Sequence, residues 1–259
     1  MDFKCALVTG GAGGIGRALS EYFISKNIKV IIVGRTESKL QATAKEIGAA
    51  AYYVLDTGST KDIPGFVAQV TKDHPEIDCL VNNAGIQRPL QVTKDDAADF
   101  LARADQELDV NVRGPMHLSL HFLPHLRQKG RDGACIMNVS SGLGFVPFSI
   151  INPVYNGTKA WVHFWSLNLR TQLARDTQIR VVEIVPPMVE SDLHREREDP
   201  DDNKKKNNPM AMTMDEFMKD VTRGLEAGET TIGAGMAAGM VDKWNDTFGD
   251  HYAKAAKDW

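Results

Sequence analysis

Apolar positions in this chain cluster in short, nearly unbroken runs, and longer stretches of helical periodicity separate the runs. The runs fall at 4–9, 29–33, 51–55, 78–82, 134–139 and 179–185, each bounded by glycine or polar turn residues. Helical patterning follows each in turn: through 25, over 37–47, 62–72, about 95–127, and 153 to about 174. A strand reads as a continuous apolar run when helices cover both faces of its sheet, which is the situation of a parallel sheet. Strand–helix alternation at this beat predicts an α/β fold, a doubly wound parallel sheet with right-handed crossovers and helices on both faces. A helix over 214–225 and a short run at 230–235 extend the pattern to about seven strands.

The beat breaks after Pro186 and Pro187. Residues 191–208 are almost entirely polar, with opposed acidic and basic runs. They fit a solvated loop, and equally a lid over a site, because lids are drawn from segments of low stability.

Composition narrows the classes. A chain of 259 residues with 42% apolar and 25% charged residues has enough apolar material for a sizeable core and is not disordered as a whole. The net charge of −4 offers no basic stripe for a nucleic acid. Cys5, Cys79 and Cys135 each lie in a predicted strand. An odd number of cysteines so placed fits reduced thiols and a cytoplasmic setting rather than a disulfide framework. The first residues enter a strand with no apolar leader, and no run approaches the ~18 apolar residues of a membrane span. His117, His121 and His125 recur every fourth residue, but the glutamate of a zinc-binding helix is missing, so no metal is expected.

Candidate chemistry begins at the first strand's end, where Thr9 leads into Gly10, Gly11, Ala12, Gly13, Gly14, Ile15 and Gly16. A glycine turn between a strand and a helix lets backbone approach a pyrophosphate, and the helix N-terminus supplies free N–H groups and a favourable dipole. Further motifs stand after later strands. They are Asn82-Asn83-Ala84-Gly85, then Asn111, then Asn138-Val139-Ser140-Ser141-Gly142, then Tyr155 and Lys159, and last Pro186 to Ser191. Asn152-Pro153 reads as a helix N-cap followed by proline at the first helical position, which puts Tyr155 in the first turn. Tyr155 and Lys159, four apart, share a helix face. A free tyrosine titrates near about 10, too high for efficient proton exchange at neutrality. A nearby ammonium favours the phenolate, so Lys159 is expected to lower the pKa of Tyr155.

The TGxxxGIG turn and these motifs, in this order, resemble the classical short-chain dehydrogenases/reductases over residues 4 to about 192. The PPMVESDL, SSGLGFVPF and NPVYNGTK segments resemble the subgroup named after the oxidoreductase of the D-alanyl-lipoteichoic-acid operon. The resemblance implies a Rossmann-type sheet and one dinucleotide-binding and catalytic domain over 1–259, with a lid or substrate loop at about 190–213. It implies Tyr155 as the acid/base, Lys159 holding the nicotinamide ribose, Ser141 bonding the substrate oxygen and Asn111 anchoring a water. Ser140 is the lesser candidate, because Ser141-Gly142-Leu143-Gly144 matches the family's SxxG. Thr9, Gly10, Gly14, Ile15, Gly16, Asp56, Asn83, Ala84, Gly85, Pro186, Val189 and Ser191 would surround the cofactor with Tyr155 and Lys159. Fourteen positions separate Ser141 from Tyr155, one more than in many members, and Pro187 replaces the usual glycine.

Where an NAD enzyme usually carries an acid after the second strand, this chain has Arg35, suited to a 2′-phosphate. The expected cofactor is therefore NADP(H), although the glycine turn lacks a second basic residue, with Gly13 at that position. Ile86, Phe145, Val146, Phe148, Met188 and Leu193 are the candidate substrate contacts, and their apolar character points to a ketone or alcohol with a hydrophobic group. The expected activity is carbonyl reduction. An NAD-linked alcohol or hydroxysteroid dehydrogenase, a 3-oxoacyl-carrier-protein reductase and a cofactor-binding sensor without turnover are the rivals. Arg35 opposes the first, the acidic net charge gives the second no support, and the intact Ser141, Tyr155 and Lys159 oppose the third. The resemblance also implies a homodimer or homotetramer formed through the Asn111 and Tyr155 helices.

Overall fold

The computed structural model describes residues 3–129 and 133–259. The expected span of 1–259 thus includes residues 1–2 and 130–132, which lie outside the described residues.

The strands are β1 (Cys5–Thr9), β2 (Lys29–Gly34), β3 (Ala51–Val54), β4 (Cys79–Asn82), β5 (Ala134–Val139), β6 (Ile179–Val185) and β7 (Thr231–Gly233). They form one seven-stranded sheet in the order β3-β2-β1-β4-β5-β6-β7, every pair parallel. The helices are α1 (Gly14–Ser25), α2 (Glu37–Ile47), α3 (Ile63–Asp73), α4 (Ala97–Leu108), α5 (Gly114–Arg127), α6 (Pro153–Leu173), α7 (Met214–Ala227), α8 (Met236–Trp244) and α9 (Asp250–Asp258). Because side chains alternate along a strand, the sheet buries two separate cores. Ala6, Val8, Val30, Ile32 and Val81 pack with Leu19 and Phe23 of α1 and Phe217 and Val221 of α7. Leu7, Ile31, Val33, Leu80 and Ile136 face the other way, against Val67 of α3, Phe122 of α5 and Leu169 of α6. Emptying one fully buried position such as Phe122 would cost roughly 3–5 kcal/mol. The strand order reverses between β1 and β4, and the crevice at such a switch point is where open α/β sheets bind ligands.

Three elements differ from the sequence expectation. The helical region expected at about 95–127 consists of two helices, joined by a π turn at Asp109–Arg113 that carries Asn111. The Asp96 carboxylate caps the first of them, accepting from the backbone N–H groups of Ala98 and Asp99. The loop 191–208 is folded although polar: the buried Asn203 amide donates to the carbonyls of Val189 and Ser191, and Arg197 and His194 both bond Asp202. Hydrogen bonds replace apolar packing there, so periodicity carries no trace of the order. Finally, 236–258 forms α8, a π turn and α9, where the sequence reading stopped at 235.

Cys5, Cys79 and Cys135 are free and buried. Burial pushes the Cys5 thiol up to about 12 and the Cys79 thiol well above its ordinary value, which keeps both unreactive.

Candidate active site

One cavity of about 830 Å³ opens at the C-terminal ends of β1, β2, β4, β5 and β6. Its floor is the glycine turn. The backbone of Gly10 is left-handed, at φ +67°, and a Cβ on Gly16 would stand 2.4 Å from the Asn83 amide and the Gly10 carbonyl. No side chain caps the N-terminus of α1 at Gly13, so its first N–H groups remain available to an anion. Gly10, Gly14, Ile15, Arg35, Asp56, Asn83, Ala84, Gly85, Pro186, Val189 and Ser191 line the cavity. Thr9 and Gly16 stand behind its wall instead. The Thr9 hydroxyl donates to the Val81 carbonyl and accepts from the N–H groups of Asn83 and Ala84, which ties β1 to the segment after β4. The Asp56 carboxylate accepts from the Gly58 N–H.

A basic partner for Arg35 comes from a place the glycine turn did not show. Lys39 of α2 lines the cavity beside it, and a Cβ on Gly13 would lie 3.2 Å from the Lys39 Nζ. The ammonium thus stands over the position where the sequence lacks a basic residue. Spacing along the chain does not show this, because α2 folds back across the turn.

The opposite wall carries the acid/base candidates. Asn152 is the N-cap of α6 and Pro153 its first residue, so Tyr155 does lie in the first turn. The Asn152 side chain does not cap the helix, however. It donates to the Arg88 carbonyl and accepts from Ser149 and Arg197. Tyr155 and Lys159 are each only 5% exposed, and both line the cavity. The Lys159 ammonium donates to the Val139 carbonyl at 2.7 Å and lies 5.5 Å from the Tyr155 ring centre. Contrary to the sequence expectation, Tyr155 is not brought toward neutrality. Burial pushes its phenol above the ordinary value and the carboxylate of Glu107 acts in the same direction, while a hydrogen bond with Ser141 and the charge of Arg197 oppose them. Burial also pushes Lys159 down to about 8, which weakens the ammonium that was to favour the phenolate. The phenol therefore holds its proton at neutral pH, the form a general acid needs.

Ser140 and Ser141 divide as their neighbours dictate. The Ser140 hydroxyl donates to the buried Glu183 carboxylate at 2.6 Å, whereas Ser141 stays with Tyr155 at the cavity. Asn111 is away from the cavity surface. Its carboxamide exchanges two hydrogen bonds with the backbone of Ile86 and donates to Thr158, pinning the segment after β4 to α6.

Ile86, Phe148, Met188 and Leu193 line the cavity, but Phe145 and Val146 do not. Phe145 turns inward against His163, at 4.2 Å between ring centres, and packs on Val185, Ala237 and Val241. Val146 is partly exposed. Met236 and Met240 of α8 take their place in the wall, and Gln87, His194 and Arg197 add polar groups. No sequence signal marked these five. The methionines lie beyond the recognised motifs, and Arg197 is hidden in a charge run. Among the described residues no group of three or more His, Cys, Asp or Glu side chains is placed to hold a metal ion. No helix among them is long and apolar enough to cross a membrane.

Comparison with known proteins agrees with this geometry. The family model described as short chain dehydrogenase matches residues 4–202. The uncharacterised oxidoreductase DltE of Bacillus subtilis is 33% identical over 242 residues, 93% of this chain and 92% of that protein. The NADP-dependent 3-hydroxy acid dehydrogenase YdfG of Escherichia coli is 34% identical over 185 residues, 71% of either chain. A short-chain dehydrogenase from Sphingobium yanoikuyae, solved in complex with NADPH, shares the fold at a TM-score of 0.82 and 22% identity, over 98% of this chain and 96% of that one.

Proposed function

The chain belongs to the short-chain dehydrogenase family, and from that premise we propose that it is an NADPH-dependent reductase of bulky ketones with Tyr155 as general acid. The observation that carries this reading is the convergence of Ser141, Tyr155 and Lys159 on the cavity whose floor is the glycine turn. The free N–H groups of α1 and the cations Arg35 and Lys39 suit a pyrophosphate and a 2′-phosphate, and two of the similar proteins are described with NADP or NADPH.

Bound NADPH would supply the hydride. Tyr155 gives its proton to the substrate oxygen as charge develops there, and Ser141 holds that oxygen by a hydrogen bond. Lys159 holds the nicotinamide ribose and keeps a proton within reach of Tyr155. Asn111 acts as a positioning residue through Ile86 and Thr158. Ile86, Phe148, Met188, Leu193, Met236 and Met240 give the cavity its apolar walls, which suit a large hydrophobic substituent. A second reading, a substrate bearing a carboxylate, is favoured by one observation: the guanidinium of Arg197 is among the cavity's lining groups. Residues 190–213 act as the lid in either case. Copies pair through α5 and α6, where Leu120 and Phe164 are exposed.

The test follows NADPH consumption with a panel of bulky ketones and 3-oxo acids, for wild type and Tyr155→Phe. Turnover is expected in the wild type and a loss on the order of a hundredfold or more in the variant, with NADPH binding retained. Equal turnover in the two would remove Tyr155 from the mechanism, and a preference within the panel separates the two substrate readings.

A further inference from the structure

Glu107 is a carboxylic side chain with no role in the mechanism above, and its placement is unusual. The residue is fully buried, at 0% exposure; no side chain pairs with its carboxyl oxygens, and the backbone N–H of Arg88 is the one donor turned toward them among the described residues. Isolated buried carboxylates are expensive, and such groups take a proton or a water rather than remain bare.

Its position follows from the helices. α4 and α6 both succeed strands of a parallel sheet, so they run side by side in the same direction. Asn111, in the π turn that follows α4, bonds Thr158 of α6. Glu107 lies one turn before Asn111, and Tyr155 lies one turn before Thr158. Glu107 and Tyr155 are therefore level with one another across the α4–α6 contact. The charged and titratable groups that face Glu107 are Arg88 after β4, Glu196 of the lid, and Lys159 of α6, while its own charge is felt at Tyr155. Arg88 closes the outer side: it bonds Glu196 at 3.0 Å and Gln106 at 2.8 Å, and the Arg88–Glu196 pair is partly exposed.

We propose that Glu107 is the proton reservoir of the acid/base site, the carboxyl through which the Tyr155–Lys159 pair regains a proton from solvent on the Arg88–Glu196 side. The inference rests on the reductase reading. In each turnover the substrate carbon gains the hydride of NADPH, and its oxygen gains the Tyr155 proton. The phenolate is reprotonated from the Lys159 ammonium, Lys159 from the Glu107 carboxyl across a buried water, and the Glu107 carboxylate from solvent. The sum is one ketone, one NADPH and one proton converted to one alcohol and one NADP⁺. Burial pushes Glu107 up and Lys159 down, which brings a carboxyl and an ammonium toward one another in acidity. Glu107 thus acts through Lys159 and is a positioning residue in the sense that it never touches substrate.

Two measurements test this, using the whole protein and the isosteric Glu107→Gln variant. The first is an infrared pH titration without cofactor, which is independent of any turnover. A protonated-carboxyl band that titrates near 8 is expected in the wild type and absent from the variant. The second is the pH profile of ketone reduction. The wild-type kcat is expected to fall above about 8. In Glu107→Gln the plateau drops and the falling limb moves to lower pH, because Lys159 loses the carboxylate that holds its pKa up, while KM for NADPH stays unchanged. Absence of the wild-type band, or a variant with the wild-type plateau and limb, overturns the proposal. Turnover that survives Tyr155→Phe would defeat the reductase mechanism instead and leave the infrared result standing on its own.

Discussion

At the scale of single residues, the clearest consequence lies in how two buried groups titrate on folding. Glu107 has its pKa raised in the folded chain, from 4.5 to about 8, so the folded state binds more protons than the unfolded state between those values. Stability from this group is full below about 4.5 and is lost as pH rises toward about 8. Lys159 is displaced the other way, from 10.5 to about 8, so the folded state binds fewer protons in that window and stability returns as pH rises through it. Both groups are buried, so solvent screening does not discount the effect, and each amounts to a few kcal/mol, on the order of 3–5. Thermal melts from pH 5 to 10 should therefore show a dip in Tm near pH 8, and Glu107→Gln should flatten its acidic side. A monotonic curve shared by both proteins would contradict it. The same two residues show what a sequence discloses. Lys159 was legible because a recognised motif fixes its spacing from Tyr155. Glu107 was not, because nothing in the run 104–110 says which face α6 will cover. Arg35 was legible from the end of β2, whereas Lys39 gained its place over Gly13 only when α2 packed back on the turn.

At the scale of elements, the strands were readable and the fold of segment 191–208 was not, for opposite physical reasons. A strand covered on both faces must be apolar along its length, and β1, β2, β4, β5 and β6 appear in the sequence as runs for that reason. The segment 191–208 is held by hydrogen bonds. Arg197 is its main anchor: one guanidinium nitrogen bonds Asp202 at 2.6 Å, and another reaches Gln87 at 3.0 Å and Asn152 at 2.8 Å. Gln87 and Asn152 belong to the body of the protein, so Arg197 clamps this segment to the cavity rim. Arg197→Ala leaves the Gln87 carbonyl unmatched and takes one of two partners from each of Asn152 and Asp202, at a cost of about 1–3 kcal/mol confined to this contact. The variant should be cut by protease within 191–208 several times faster than wild type, with a raised KM for ketone and little change in the melting of the sheet. Equal cleavage rates would mean that Asn203 and His194 hold the segment without it. The π turn at 109–113 was equally hidden: it interrupts one helical pattern without changing its composition, yet it sets the helix phase at which Asn111 meets Ile86 and Thr158.

At the scale of the whole molecule, the seven parallel strands leave one large crevice, at the switch between β1 and β4, and the elements around it meet only through the chain's long-range packing. The glycine turn, α2, segment 191–208 and α8 all contribute to the walls of that crevice, so a bound dinucleotide should stabilise the molecule as one unit. Linkage gives about 2.7 kcal/mol at a ligand concentration a hundred times Kd. For a chain of this size that is a rise in Tm of roughly 5–10 °C. On the proposal that Arg35 and Lys39 hold a 2′-phosphate, NADPH should raise Tm several degrees more than NADH at equal concentration. Arg35→Asp should reverse the order, since a carboxylate repels the phosphate and accepts from a ribose 2′-hydroxyl. Equal shifts from the two cofactors in wild type would show that neither cation discriminates between them. A wild type stabilised by neither would remove the dinucleotide from the crevice, and the reductase reading with it.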